Sequence, residues 1–173
     1  MLFLGAGNIK NLEPKIVVID KPIQAVGLGT KTSIKRVFSD IPRLGKQYKK
    51  LKDQNGIPNR KEPWGFIALS KDYDEQTQEW EYIMGDVVTN IDNIPPNLVS
   101  FEIPAGSYAV FPIRPRNMFL WGPTIAKIKR YAYDSWLPNS KYEQAGFDFE
   151  YHDERSMGKN PEISLYFAIQ EKK

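Results

Sequence analysis

The run Phe147-Asp-Phe-Glu-Tyr-His holds the side chains with the greatest chemical potential in the chain. Read as a strand, it puts Phe147, Phe149 and Tyr151 on one face and Asp148, Glu150 and His152 on the other. The aromatic face reads as core, and the carboxylate face is either solvated or the floor of a pocket. A carboxylate facing water costs little. One walled off by rings loses its hydration and persists only with hydrogen-bond donors or a cationic guest. Tyr48, Tyr82, Tyr131, Tyr133 and Tyr166 supply phenol donors, and Trp64, Trp121 and Trp136 supply π-faces, each of which attracts a cation by about 0.5–2 kcal/mol. A glutamate so ringed is a site for a lipophilic cation; the plainer reading makes most of these rings core. Glu150 also has the chemistry of a general base toward water, with a tyrosine donating to developing negative charge and His152 relaying a proton. Against that, His152 reads simply as an exposed strand-end imidazole.

Composition excludes other chemistries. The 173 residues include no cysteine, which removes disulfides, thiol nucleophiles and cysteine-ligated metals, and a single histidine removes multi-histidine zinc sites. No metal or cofactor is expected. The formal net charge of +3 is too small to imply nucleic-acid binding. The lysines of Lys46-Gln-Tyr-Lys-Lys-Leu-Lys read as a solvated helix face, so direct nucleic-acid contact is not expected. No apolar run approaches the roughly 18 residues of a transmembrane helix. The apolar start lacks a basic n-region and is too short for a secretory signal. Residues 1–12 therefore read as a disordered leader, residues 13–173 as one domain, and the location as cytoplasmic with no membrane partner.

The elements that must position Glu150 emerge from an internal repeat. A shift of 81 residues lays Pro42 on Pro123, Phe66 on Phe147 and Glu81 on Glu162. The half-repeats are 14–90 and 98–172, each reading strand, strand, helix, strand, strand. In the first, Val17–Asp20 and Gln24–Thr30 are strands broken at Pro22. Ile34, Phe38, Ile41, Leu44, Tyr48 and Leu51 then recur at helical spacing, with Asp40 as N-cap, Pro42 in the first turn and Asn55-Gly56 as the stop. Trp64–Asp72 and Glu79–Asn90 follow as strands.

In the second half, Leu98–Ile103 and Ser107–Arg114 are strands. The stripe Trp121, Ile125, Ile128, Ala132, Trp136 is a helix, with Pro138 beyond its end. Phe147–Arg155 and Glu162–Glu171 close the chain as strands. This predicts an α+β fold of duplicated (β)βαββ half-domains, a mostly antiparallel sheet with two main helices, and a ligand cleft at the pseudo-two-fold seam. The same shift lays Ile67 and Leu69 on Asp148 and Glu150, as if two aliphatic positions had become acids. Pairing with the last strand is expected to place Glu150 beside Tyr166.

The order of segments resembles the GyrI-like effector-binding domain, also found behind DNA-binding modules in bacterial multidrug-responsive regulators of the AraC and MerR types. The resemblance is carried by Ile41-Pro-Arg-Leu, Trp80-Glu-Tyr-Ile-Met-Gly-Asp-Val-Val, Ile103-Pro-Ala-Gly-Ser-Tyr-Ala-Val-Phe, Trp136-Leu-Pro-Asn-Ser, Phe147-Asp-Phe-Glu-Tyr-His-Asp and Glu162-Ile-Ser-Leu-Tyr-Phe-Ala-Ile, spanning about residues 14–172. It implies two βαββ-type repeats around a pocket for hydrophobic, often cationic, aromatic compounds. The family's functional acid maps to Glu150, and the aromatic wall to Tyr48, Tyr82, Trp121, Trp136 and Tyr166. Regulators of this type carry a helix-turn-helix before the pocket domain, and nothing before Glu13 could form one. The chain therefore reads as a stand-alone sensor or sequestering protein, or as a fragment. Two alternatives come with the resemblance. One is a hydrolase that opens strained cyclopropane-bearing toxins with the same glutamate; the other is a gyrase-inhibitor-like module that binds a protein partner.

Overall fold

The computed structural model describes residues 12–115 and 121–173. The leader expected at residues 1–12 falls almost wholly outside them; Leu12, its last residue, packs against the core of the second half. The strands are β1 (Lys15–Ile19), β2 (Ile23–Ser33), β3 (Phe66–Asp74), β4 (Glu79–Val87), β5 (Val99–Ile103), β6 (Gly106–Ile113), β7 (Tyr142–His152) and β8 (Ile163–Glu171). The helices are α1 (Val37–Asp53), α2 (Trp121–Tyr131) and the short α3 (Leu137–Asn139), with a π-helical turn over Ala132–Trp136 joining the last two.

All eight strands form one antiparallel sheet in the order β1-β6-β8-β7-β3-β4-β2-β5. The centre of that order is the β3–β7 pair, flanked by β4 and β2 on one side and β8 and β6 on the other. The duplicated α+β architecture is therefore present, with one correction. Each half's first strand joins the other half: β1 lies on β6, and β5 lies on β2. Pro22 follows β1 and Pro104-Ala-Gly follows β5, so neither chain break closes a hairpin with the strand beside it.

The sheet buries both faces. On one, Tyr48 of α1 packs with Val26, Ile57 and Val88, while Leu44 packs on Ala68 and Tyr82. On the same face, α2 and the π-turn set Ile128, Ala132 and Trp136 on Phe111, Leu165 and Phe167. The opposite face joins Ile67, Leu69 and Ile83 of the first half to Tyr108, Val110 and Phe149 of the second, so the sheet curls upon itself. Two facing glycines permit the curl. A Cβ on Gly27 would lie 1.8 Å from the Met84 carbonyl oxygen, and one on Gly85 would lie 2.7 Å from the Phe101 ring. Backbone cannot yield as a side-chain tip can, so Gly27→Ala is expected to cost roughly 3 kcal/mol. Urea unfolding measures it; a loss under about 0.5 kcal/mol, the range of an ordinary surface substitution, would remove the close approach as a requirement.

Several local expectations change. Asp40 is not an N-cap: it lies inside α1, buried, accepting from the Thr32 hydroxyl at 3.0 Å and from Arg43 at 2.6 Å. Pro42 is correspondingly in the helix interior. Ile34 and Phe38, the first two residues of the apolar stripe, are exposed, because the helix starts only at Val37 and Phe38 faces outward. Asn55, at φ 51°, stops the helix as anticipated, and the Gly56 amide reaches back to the Leu51 carbonyl. Pro138 continues the helical path in α3 rather than following its end. β7 starts at Tyr142, earlier than Phe147, and stops at His152. There Asp153 accepts from the Arg155 amide and opens a 3-10 turn.

Candidate functional site

Register across the central pair decides what surrounds Glu150. In β3–β7, Phe66 lies opposite His152, Ala68 opposite Glu150 and Ser70 opposite Asp148. Residues directly opposite share a face. Ile67 and Leu69 therefore point away from Asp148 and Glu150, and an offset of 81 cannot hold across these strands, because it sends each β3 residue to the wrong face. The identity of Ala68 is the informative one: a small residue under Glu150 at the seam. On the other side, Glu150 pairs with Leu165 while Phe149 pairs with Tyr166. Tyr166 is thus not beside Glu150. It stacks on Phe149, with centroids 4.6 Å apart, on the opposite face.

Glu150 is 9% exposed, and its Oε2 lies 3.2 Å from His152 Nε2. The imidazole is no free strand end. Its ring meets Phe66 edge-on at 5.0 Å and Trp121 at 6.3 Å, while Phe66 meets Tyr48 at 5.3 Å. Tyr48, Phe66, His152 and Trp121 thereby form a row of rings from α1 to α2 across the seam, above the Glu150 strand. Tyr82 is buried on the same face beside Ala68. Rings from both halves therefore converge on His152, the residue in contact with Glu150.

Asp148 is bound from the second half. Lys129 Nζ on α2 lies 2.5 Å from its Oδ1, and the Tyr133 hydroxyl donates to Oδ2 at 2.7 Å. Lys129 also reaches Ser70 Oγ at 3.3 Å. Burial acts to lower the Lys129 ammonium, but the charges of Asp148 and Glu150 and the hydrogen bond to Asp148 outweigh it, leaving its pKa above the ordinary lysine value. The neighbourhood thus holds two carboxylates against one ammonium.

A third acid completes the α1 side. Asp86 on β4 is fully buried; its Oδ1 accepts from the Tyr48 hydroxyl at 2.5 Å and Trp64 Nε1 at 3.3 Å, and its Oδ2 meets Arg60 Nε at 2.7 Å. Lys52 Nζ lies 3.5 Å from Oδ1 and 4.7 Å from the centre of the Trp64 ring. This cluster fixes the Tyr48 end of the ring row.

The remaining candidate, Trp136, is elsewhere. It packs edge-on against Phe111, stacks on Tyr142 and donates to Glu13 at 3.2 Å. There it lines an open groove of about 620 Å³ with Tyr131, Ser135 and Ile16. That groove lies at the far end of α2 and contains none of the Glu150 cluster. Of the residues singled out from sequence, the fold therefore gathers Glu150, Tyr48, Tyr82 and Trp121 and separates Trp136 and Tyr166. Phe66 and His152 complete the ring row. The direct pairing of Phe66 with His152 was the missing signal, and a strand register is needed to see it.

Two buried phenols and one half-buried phenol give a pH test of this packing. Burial first, and then the carboxylates, push Tyr48 (Asp86), Tyr82 (Glu150 and Asp148) and Tyr133 (Asp148) above the usual phenol range. The fold holds them neutral, whereas the unfolded chain ionises them near the ordinary value. Stability is therefore unaffected by them below about pH 10 and falls as pH rises beyond it. Phenolate absorbance from these three should appear only together with loss of tertiary structure. Their ionisation in the ordinary range with the fold intact would contradict the burial described.

Among the described residues no group of three His, Asp or Glu side chains is gathered as for a metal ion. No helix there is long and apolar enough to cross a membrane.

The duplicated antiparallel sheet and its two flanking helices are the fold of an effector-binding domain of the GyrI-like type. Residues 16–169 match the family Cass2, integron-associated effector binding protein, and the chain belongs to that family. Its fold is that of an integron cassette protein from the mobile metagenome of Vibrio cholerae, with a TM-score of 0.64 at 14% identity over 91% of this chain and 96% of that one. It is equally similar to SAV2435 bound to tetraphenylphosphonium, with a TM-score of 0.66 at 10% identity over 92% of this chain and 94% of that one. Over 95 residues it is 34% identical to the transcriptional regulator BrlR of Pseudomonas aeruginosa, covering 53% of this chain and 33% of that protein. The chain thus spans about a third of the length of this curated relative.

Proposed function

We propose that the chain binds hydrophobic aromatic cations at the seam, with Glu150 as counter-charge and Trp121, Phe66, Tyr48 and Tyr82 as the apolar wall. The observation that carries this reading is the 9% exposed Glu150 in contact with His152, one ring of a row contributed by both helices and both central strands. A buried carboxylate with one imidazole contact remains short of positive charge, and a lipophilic cation supplies that charge together with apolar area. Binding parts Trp121 from His152, so the rings of the row become the walls around the guest. Affinity comes chiefly from apolar burial at roughly 25 cal/mol per Å², and the carboxylate sets the preference for cations. The structure of SAV2435 with tetraphenylphosphonium supports this class of ligand for the fold. The test is titration of tetraphenylphosphonium and of neutral triphenylphosphine oxide against the protein and Glu150→Gln, followed by calorimetry. Selective loss of the cation supports the reading, and equal loss of both ligands defeats it.

A further inference from the structure

Asp148 and Glu150 stand two residues apart on one face of β7, yet their partners differ completely. Asp148 has both oxygens engaged by the α2 segment, Oδ1 by Lys129 at 2.5 Å and Oδ2 by Tyr133 at 2.7 Å. Glu150 has His152 at 3.2 Å. The Lys129 ammonium is stationed on α2 facing both acids, held in place by Ser70 at 3.3 Å and by Asp148. We propose that Lys129 is a specificity-determining residue: by cancelling Asp148 it fixes the site at one net negative charge, and so selects monovalent over divalent organic cations. This rests on the reading of Glu150 as the counter-charge.

The physical reason is the cost of an uncompensated charge away from water. With two carboxylates set against one ammonium, a monocation brings the site to neutrality. A dication leaves one positive charge in excess beside Lys129, which repels it directly. Without Lys129 the two carboxylates, adjacent on one face, favour a divalent guest. A lysine serving only to pin α2 to the sheet would have no effect on this choice.

The experiment uses two flat cations of matched size, the monovalent 1-methyl-4-phenylpyridinium and the divalent 1,1′-dimethyl-4,4′-bipyridinium, titrated by calorimetry. The unaltered protein should prefer the monocation at least ~10-fold, a difference that corresponds to about 1.4 kcal/mol. Lys129→Met should shift the ratio at least ~10-fold toward the dication. The double variant Lys129→Met/Asp148→Asn, with one net negative charge restored and the pair removed, should return to within ~3-fold of the original ratio. A double variant that stays shifted, or a Lys129→Met ratio unchanged within ~3-fold, overturns the proposal in favour of a structural pin. Should Lys129→Met not fold, Asp148→Asn carries the test: its site is neutral, so the monocation should weaken at least ~10-fold with Glu150 intact, and no weakening overturns the proposal. Failure of the underlying reading has a different signature. There Glu150→Gln binds the monocation as well as the unaltered protein does, or the unaltered protein binds neither cation, and both proposals fall.

Discussion

Glu150→Gln is expected to weaken tetraphenylphosphonium binding by ~30-fold or more, about 2 kcal/mol, while triphenylphosphine oxide changes by less than ~3-fold. The substitution keeps volume and hydrogen-bonding capacity but removes the charge, so apolar contacts with Trp121, Phe66 and Tyr82 persist for either ligand. The magnitude follows from the setting. A surface carboxylate would contribute 1 kcal/mol or less, whereas Glu150 is 9% exposed and has little water to screen it. Its contact with His152 must also be rearranged when a cation arrives, which keeps the expected effect below that of a fully unpaired buried acid. High salt should leave most of the preference intact, because screening acts weakly on buried pairs. A cation preference that vanishes at high salt would place the charge pair at the surface and remove Glu150 from the explanation.

The largest expected effect on stability is at Asp86. Its carboxylate is buried and surrounded by the Tyr48 hydroxyl, the Trp64 indole, Arg60 and Lys52. Asp86→Ala strands two cations and two donors at once, and removing one partner of a buried ion pair typically costs about 3–5 kcal/mol. For a domain of this size that lowers the melting temperature by roughly 10 °C. Asp86→Asn keeps an acceptor for Tyr48 and should lose about half as much. Tyr48 anchors the ring row, so Asp86→Asn should also weaken aromatic ligands modestly, cation and neutral alike. This separates it from the charge-selective loss at Glu150. Chemical denaturation of the two variants decides the matter, and a loss below about 1 kcal/mol for Asp86→Ala would show that the cluster is only a surface ion pair.

Much of this molecule is decided within short stretches of chain. Strand and helix identity follow from alternation and helical spacing, which are local: β2, α1, β3 and β4 and their second-half counterparts fall where apolar periodicity changes, with ends moved by a few residues at Val37 and Tyr142. The duplication is visible because fold symmetry leaves the order of local patterns repeated even where identities have drifted. The acid at position 150 stands out because alternation puts it on a face with another carboxylate and a histidine.

The tertiary structure decided whatever depends on strand pairing between distant segments. A one-residue change of register reverses the face of every side chain, so no count along the chain could choose between Leu165 and Tyr166 as the neighbour of Glu150. The same parity put Ala68, rather than Leu69, opposite Glu150. Exchange of β1 and β5 between the halves, the Phe66–His152 pairing that completes the ring row, and the Asp86 cluster drawn from residues 48 to 86 all depend on contacts for which local sequence holds no distance information. Local chemistry thus chose which side chains could act, and long-range pairing chose which of them meet.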